Sequence, residues 1–181
     1  MKFYNALSLA ATATTSVAKL CGAKTPAEKL AKPLIVSALM AAQPRRLRDP
    51  LFVAGAVAHL LGDIVLLRND ANLRRGALCF GLGHVAFIAR RLRAGYRPGF
   101  VIPHLAAVAV AAPMVHDKRL LAYGALLATY SSVSHSLGGP LFMVSDALID
   151  VNHQHPHPGL DFAVIATYGL AQYLLLGPEE N

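Results

Sequence analysis

The sequence predicts an all-α fold, a polytopic integral membrane helical bundle with about eight transmembrane helices. We expect the bundle to form a single membrane domain, residues 1–181. Only 15% of the residues are charged and 55% are hydrophobic, whereas a soluble domain carries about 25% charged residues. The charges gather in short clusters, and the segments between them are apolar on all sides, without the polar stripe of a soluble surface helix. The protein is therefore expected to lie in the cell membrane and to cross it several times.

The net charge of +7 does not predict nucleic-acid binding. The basic residues lie in short loops, where they anchor helix ends and contact anionic lipid, and no array combines them with aromatic residues. The expected partner is thus the lipid bilayer. An eight-helix topology would place 8 of the 17 Lys and Arg residues on one side and 9 on the other, so this charge does not select an orientation.

Eight apolar segments follow one another along the sequence. The first is interpreted as a helix rather than a signal peptide, because threonines dilute its apolar run and no convincing cleavage site follows. The second is expected to open at Lys32-Pro33, since proline suits a first helical turn. Gly138-Gly139-Pro140 predicts a tight connection before the seventh, and residues 152–158 a loop after it. The predicted helices are 3–21, 31–43, 50–67, 76–94, 98–115, 120–136, 140–151 and 159–177.

Two carboxylates lie inside apolar segments in similar contexts. Asp63 and Asp146 each follow a glycine by eight residues, come directly after a small residue, and precede aliphatic residues. A carboxylate in hydrocarbon is costly to keep and usually functional, although one that pairs only for packing is the simpler alternative. The two aspartates are therefore the candidate catalytic residues.

The predicted topology brings further polar residues to the same half of the membrane. The third and seventh helices run in one direction, which places both aspartates about 7–10 Å below one interface. The even-numbered helices begin at that interface, and the residues expected near the aspartates are Lys32, His84, Tyr168, Gln172 and Ser145. Alternatives remain for single residues: an interfacial anchor for Lys32, a core histidine for His84, and a hydroxyl bonded to its own helix for Ser145.

A set of short motifs carries a family resemblance. The motifs are Lys32-Pro33, Leu61-Gly62-Asp63, Phe80-Gly-Leu-Gly-His84, Gly138-Gly-Pro-Leu-Phe142, Ser145-Asp146 and Thr167-Tyr168-Gly-Leu-Ala-Gln172. With these motifs in order, the sequence from about 31 to 176 resembles the YhhN-like family of membrane lysoplasmalogenases. Phe87 departs from the family pattern, because the resemblance leads us to expect a tyrosine three residues after His84.

The resemblance implies hydrolysis of the vinyl ether bond of a lysophospholipid, lysoplasmenylcholine or lysoplasmenylethanolamine, to a fatty aldehyde and a glycerophospho-alcohol. A vinyl ether reacts by protonation on carbon, and water then adds to the resulting oxocarbenium ion. Two carboxyl groups suffice, so neither a metal nor another cofactor is expected. One of Asp63 and Asp146 would donate the proton, and the other would stabilise the cation and accept a proton from water.

The remaining candidates are expected to bind the substrate. Lys32 and loop arginines would hold the phosphate, while His84, Tyr168 or Gln172 would orient the polar end or the water. Ser145 would support its neighbour Asp146.

Two other functions are open at this stage. Paired intramembrane aspartates also serve proton- or cation-coupled transporters, although transport requires polar access from both faces. A metal-dependent lipid hydrolase could use His and Asp ligands, but the alternating histidines of residues 153–157 lie among prolines in a loop, which suits a tetrahedral site poorly.

Overall fold

The computed structural model describes residues 2–21, 25–68, 73–113, 115 and 117–177. These residues form eight α-helices and no strand, which confirms the all-α prediction. A short 3-10 helix, Arg46–Arg48, precedes the third. The helices are α1 (Lys2–Leu20), α2 (Pro26–Ala41), α3 (Pro50–Arg68), α4 (Leu73–Arg93), α5 (Val101–Ala111), α6 (Arg119–Ser134), α7 (Gly138–Gln154) and α8 (Pro158–Leu176).

Most helices that are consecutive in sequence pack side by side, α4 and α5 excepted, and α8 packs against α1 as well as α7. α8 packs against α7, α1 and α2, while α4 packs against α3 and α6. Small residues allow the close approaches: a Cβ on Gly169 of α8 would lie 2.2 Å from the hydroxyl oxygen of Thr12 on α1. The hydroxyl of Ser8 donates to the Ile35 carbonyl at 2.8 Å and ties α1 to α2. This arrangement places α3, α4, α6, α7 and α8 around one interior.

The bundle buries a cluster of polar side chains within an apolar core and exposes many large apolar side chains. His59, Asp63, His84 and Gln172 are fully buried, whereas large apolar side chains such as Ile102 (82% exposed) cover the outer surface. An outer surface covered by large apolar side chains, around buried carboxyl and imidazole groups, is unusual in a soluble protein and is favoured by a bilayer. Among the described helices, α3 and α8 are long and apolar enough to cross a membrane, and α5 and α6 contain shorter apolar stretches. The number of membrane crossings stays a prediction.

The predicted start of the second helix is wrong. α2 begins at Pro26, where the Thr25 side chain accepts a hydrogen bond from the Glu28 N–H at 3.2 Å. Threonine followed by proline is a strong helix start, since the hydroxyl caps a free N–H and proline has none to leave unpaired. Pro33 therefore lies inside α2, and Lys32 is buried in the helix rather than placed at its first turn.

The predicted bounds of the fifth and seventh helices also need correction. Gly138, Gly139 and Pro140 are the first turn of α7, not a connection, and proline suits that turn because it has no N–H to leave unpaired. The glycines serve packing: a Cβ on Gly139 would lie only 2.6 Å from the Ser131 Cα of α6. α7 continues to Gln154, into the predicted loop. α5 is shorter than predicted: Phe100 adopts a left-handed backbone (φ 49°) before it, and Pro113 follows it.

Asp49 holds the start of α3 against the end of α4. Its carboxylate accepts hydrogen bonds from Arg90 Nε and Arg93 Nη2, both at 2.9 Å, and from the Leu51 N–H at 3.0 Å. Desolvation opposes the charge, but these bonds outweigh it and hold the pKa of Asp49 below its usual value. The ion pairs therefore join the two helices at the end of the bundle that carries the arginines.

Candidate active site

Asp63 lies between α3 and α8. The Tyr168 hydroxyl donates to its Oδ2 at 2.7 Å, while Oδ1 is buried without a hydrogen bond from the described residues. Lys32 of α2 is also buried, and its charge acts electrostatically on Asp63. Tyr168 of α8 thus holds the carboxylate, the charge of Lys32 of α2 acts on it, and within the described part of the chain no group bonds its second oxygen.

Asp146 lies on α7 and is held from α6. The Tyr123 hydroxyl donates to its Oδ2 at 2.6 Å. Unlike Asp63, Asp146 is only partly buried. Each candidate carboxylate therefore accepts a short hydrogen bond from a tyrosine on a different helix.

Two histidines and a glutamine connect these carboxylate-tyrosine pairs. Gln172 Nε2 lies 3.0 Å from the Tyr168 hydroxyl and 2.9 Å from His59 Nδ1. His59 Nε2 lies 3.3 Å from His84 Nδ1, and His84 Nε2 lies 3.5 Å from the Tyr123 hydroxyl. We call this continuous set the polar network: Asp63, Tyr168, Gln172, His59, His84, Tyr123 and Asp146.

Aromatic rings and a glycine fix the two histidines. The His59 and His84 rings meet edge to face at 4.9 Å between centroids, and Phe142 packs against both. A Cβ on Gly83 would lie 2.3 Å from His59 Cδ2 and 2.9 Å from the Gly55 carbonyl oxygen. Only glycine at position 83 lets α4 approach α3 closely enough for the imidazoles to meet.

A cavity of about 580 Å³ opens beside Asp146. Its walls come mainly from α4, α5, α6 and α7 and are largely apolar, with Tyr123, Asp146, Asp150 and His104 as the polar lining residues. Asp63 does not line it; Phe80, which packs against Gly62, forms part of the wall. Ligand pockets have volumes of about 300–1,000 Å³, so a substantial apolar molecule fits here with a carboxyl group beside it.

The profile of the YhhN family matches residues 27–119 and 118–178. The chain belongs to the YhhN family. Comparison with curated proteins and with solved structures gave no match. Family membership and the apolar helices together make the chain a membrane protein, and membership is consistent with hydrolase activity.

The structure brings most of the predicted site residues of this YhhN protein together. Asp63, Asp146, His84, Tyr168 and Gln172 all belong to the polar network, and the charge of the buried Lys32 acts on Asp63. The Ser145 hydroxyl instead donates to the Val164 carbonyl of α8 at 3.0 Å, which joins α7 to α8.

Sequence reasoning missed Tyr123 and did not include His59 among the candidate site residues. His59 carried a usable signal, because it lies one helical turn before Asp63 and both were read as part of one apolar segment. Phe87, the departure from the family pattern, packs edge to face on His59 at 5.2 Å and stacks on Tyr130 at 5.6 Å. A phenylalanine therefore fills that place by ring packing alone.

The described residues contain no group of three or more His, Cys, Asp or Glu side chains close enough to hold a metal ion. Of the alternating histidines, His153 lies within α7. His157 precedes α8, and its Nδ1 accepts a hydrogen bond from the Gly159 N–H at 3.0 Å. It caps that helix.

Proposed function

We propose that the protein is a multi-pass hydrolase of the cell membrane that cleaves the vinyl ether bond of lysoplasmalogens. The observation that carries the proposal is the placement of Asp146, a carboxyl group held by Tyr123 at the wall of an apolar cavity of about 580 Å³. A cavity of this kind suits a lipid chain that carries a reactive bond near its polar end. Family membership supports the same activity.

Asp146 is the proposed general acid. Tyr123 occupies Oδ2, which leaves Oδ1 to carry the proton that is transferred to the vinyl carbon. The transfer leaves a carboxylate on Asp146, stabilised by the tyrosine hydroxyl, and an oxocarbenium ion on the substrate. Water adds to the cation, its proton returns to Asp146, and the hemiacetal separates into fatty aldehyde and glycerophospho-alcohol.

Asp63 acts in this scheme without lining the cavity. Its carboxylate lies behind the Phe80 wall, bonded to Tyr168 and close to the Lys32 charge. A negative charge there favours formation of the substrate cation. The sequence left open which aspartate is the acid, and the cavity supports Asp146.

The polar end of the substrate belongs beside Asp150. This residue follows Asp146 by one turn of α7, about 6 Å along the helix, and lines the same cavity. Its carboxylate accepts one hydrogen bond from Gln154 at 3.1 Å and suits the ammonium group of choline or ethanolamine. The exposed Arg75 follows Leu73, a lining residue, by two positions and suits the phosphate.

Aldehyde release by the purified protein tests the proposal. Lysoplasmenylcholine and an ester lysolipid with the same head group and chain length are the matched substrates, and only the vinyl ether should yield aldehyde. Asp146→Asn should abolish release, whereas Asp161→Asn should retain it because Asp161 bonds Asn152 near the start of α8. Aldehyde release at the wild-type rate by Asp146→Asn would rule out this mechanism.

A proton-coupled transporter is the second candidate, and the continuous polar network favours it. Hydrogen-bonded carboxylates and histidines inside a bundle also occur in proton pathways. Proteoliposomes that acidify under a pH gradient, with loss of flux in Asp63→Asn, would support transport. Aldehyde release without proton flux would support the hydrolase and exclude the transporter.

A further inference from the structure

We propose that Gln172 is a positioning residue whose two amide hydrogens set the direction of every hydrogen bond in the polar network, so that both tyrosine hydroxyls donate to the aspartates. The inference rests on the proposed function only for its effect on catalysis. The hydrogen-bond directions themselves are independent of any substrate.

Two chains of hydrogen bonds run from Gln172, one to Asp63 and one to Asp146, and we call each of them an arm. The arm that leads to Asp63 fixes the orientation of the Gln172 amide. Tyr168 has a single hydroxyl hydrogen, and at 2.7 Å from Asp63 Oδ2 that hydrogen is donated to the carboxylate. The Tyr168 oxygen can then only accept from Gln172, at 3.0 Å, so the amide must present its NH₂ group there. The first amide hydrogen is therefore committed to Tyr168.

The arm that leads to Asp146 follows from the second amide hydrogen. His59 Nδ1 lies 2.9 Å from Gln172 Nε2 and 3.4 Å from Gln172 Oε1, and the shorter contact assigns the amide NH₂ as donor to Nδ1. The hydrogen of a neutral His59 ring then lies on Nε2. That hydrogen is donated to His84 Nδ1 at 3.3 Å, which places the His84 hydrogen on Nε2 as well. His84 in turn donates to the Tyr123 oxygen at 3.5 Å, and Tyr123 donates to Asp146 at 2.6 Å.

Every group in the network has one consistent role under this assignment. Both histidines are neutral Nε2–H tautomers, both aspartates are terminal acceptors, and Gln172 is the donor from which the two arms diverge. Gln172 therefore has no amide hydrogen left for a substrate, which distinguishes this role from the substrate-binding role expected from the sequence. A side chain that donates twice at this position keeps each tyrosine turned toward its aspartate.

Gln172→Glu tests the inference with almost no change in shape. A carboxylate donates no hydrogen and a protonated glutamic acid donates only one, so at least one arm must reverse. In the ionised form both reverse: the Tyr168 hydroxyl turns to Glu, the histidines become Nδ1–H tautomers, and Tyr123 turns from Asp146 to His84. The readout is ¹⁵N NMR of histidine-labelled protein, with the two signals assigned by their loss in His59→Asn and His84→Asn.

The wild-type spectrum is expected to show Nε2–H tautomers for both rings, a result that does not depend on the folding of Gln172→Glu. The variant should shift them to Nδ1–H and lower kcat for aldehyde release at least tenfold with KM little changed. Gln43→Glu is the control, because it makes the same change at another buried glutamine, beyond the end of α2; it should leave the tautomers and kcat unaltered.

The outcomes separate the two proposals. An Nδ1–H tautomer for either histidine in the wild type, or full kcat in Gln172→Glu, would overturn the role of Gln172. Nε2–H tautomers that reverse in the variant, in a protein that releases no aldehyde, would sustain the inference and reject the proposed function.

Discussion

Tyr123→Phe removes one oxygen atom and with it the hydrogen bond that connects Asp146 to the rest of the polar network. The hydroxyl donates to the Asp146 carboxylate at 2.6 Å, and the same oxygen lies 3.5 Å from His84 Nε2. Asp146 becomes charged when it gives its proton to the substrate, so the lost hydrogen bond is stronger in the transition state than before it. We expect a lower kcat, with KM changed little.

The size of the effect follows from the kind of hydrogen bond. A hydrogen bond to a charged group contributes about 1.5–3 kcal/mol. Since each 1.36 kcal/mol corresponds to a tenfold change in rate, kcat should fall by about 10- to 150-fold. The change in shape is small, because the ring that stacks on His84 at 5.7 Å remains.

Aldehyde release from lysoplasmenylcholine over a range of substrate concentrations gives kcat and KM separately. Tyr130→Phe is the matched control, since Tyr130 lies on the same helix and stacks on His84 at 5.1 Å, without a described hydrogen bond from its hydroxyl. It should retain at least half of the wild-type kcat. Equal kcat values for Tyr123→Phe and Tyr130→Phe would refute the claim that Asp146 is a general acid assisted by the Tyr123 hydrogen bond.

Three further changes have defined outcomes. Gly83→Ala drives a Cβ into His59, so overpacking should cost about 1–3 kcal/mol of stability and most of the activity. Gly81→Ala on the same helix would make only ordinary contacts, 3.5 Å or longer, and should keep stability and activity, as thermal denaturation in detergent and aldehyde assays would show. Asp150→Asn should raise KM several-fold for choline and ethanolamine lysolipids but not for an uncharged head group, and equal KM changes for all would contradict the subsite. Asp49→Asn should lower Tm at pH 7. The depressed pKa of Asp49 gives stability that is present above the ordinary pKa of 3.8 and is lost as the pH falls through the lower pKa of the folded state, so the Tm difference should vanish in stronger acid. A Tm difference that persisted there would argue against the ion pairs.

The two aspartates could be predicted because their physical cost is visible in the sequence. A carboxylate in an apolar helix requires partners, and the order of helices suggested which polar residues would lie near Asp63 and Asp146. His84, Tyr168 and Gln172 followed from the same reasoning, and the structure places all three in the polar network.

The roles within the network could not be predicted, because they depend on which atoms meet. Tyr123 and Tyr130 lie seven residues apart on α6, near the same helical face, and no pattern indicates which hydroxyl meets a carboxylate. Lys32 was misplaced because Pro33 suggested a helix start, while the stronger signal, Thr25-Pro26, lay in an apparent linker. A capping threonine followed by proline was therefore the better guide, and this start could have been predicted from the sequence.

The glycine contacts have a mechanical consequence for the cavity. Gly83, Gly139 and Gly169 bring backbone against neighbouring side chains or backbone, so the helices that hold the polar network cannot separate without losing many contacts at once. α5 forms one wall of the cavity, contains no glycine, and leaves most of its surface exposed. Since α5 packs mainly on α6, we expect a lipid chain that enters the cavity laterally from the bilayer to displace α5 rather than the helices that hold the reacting groups.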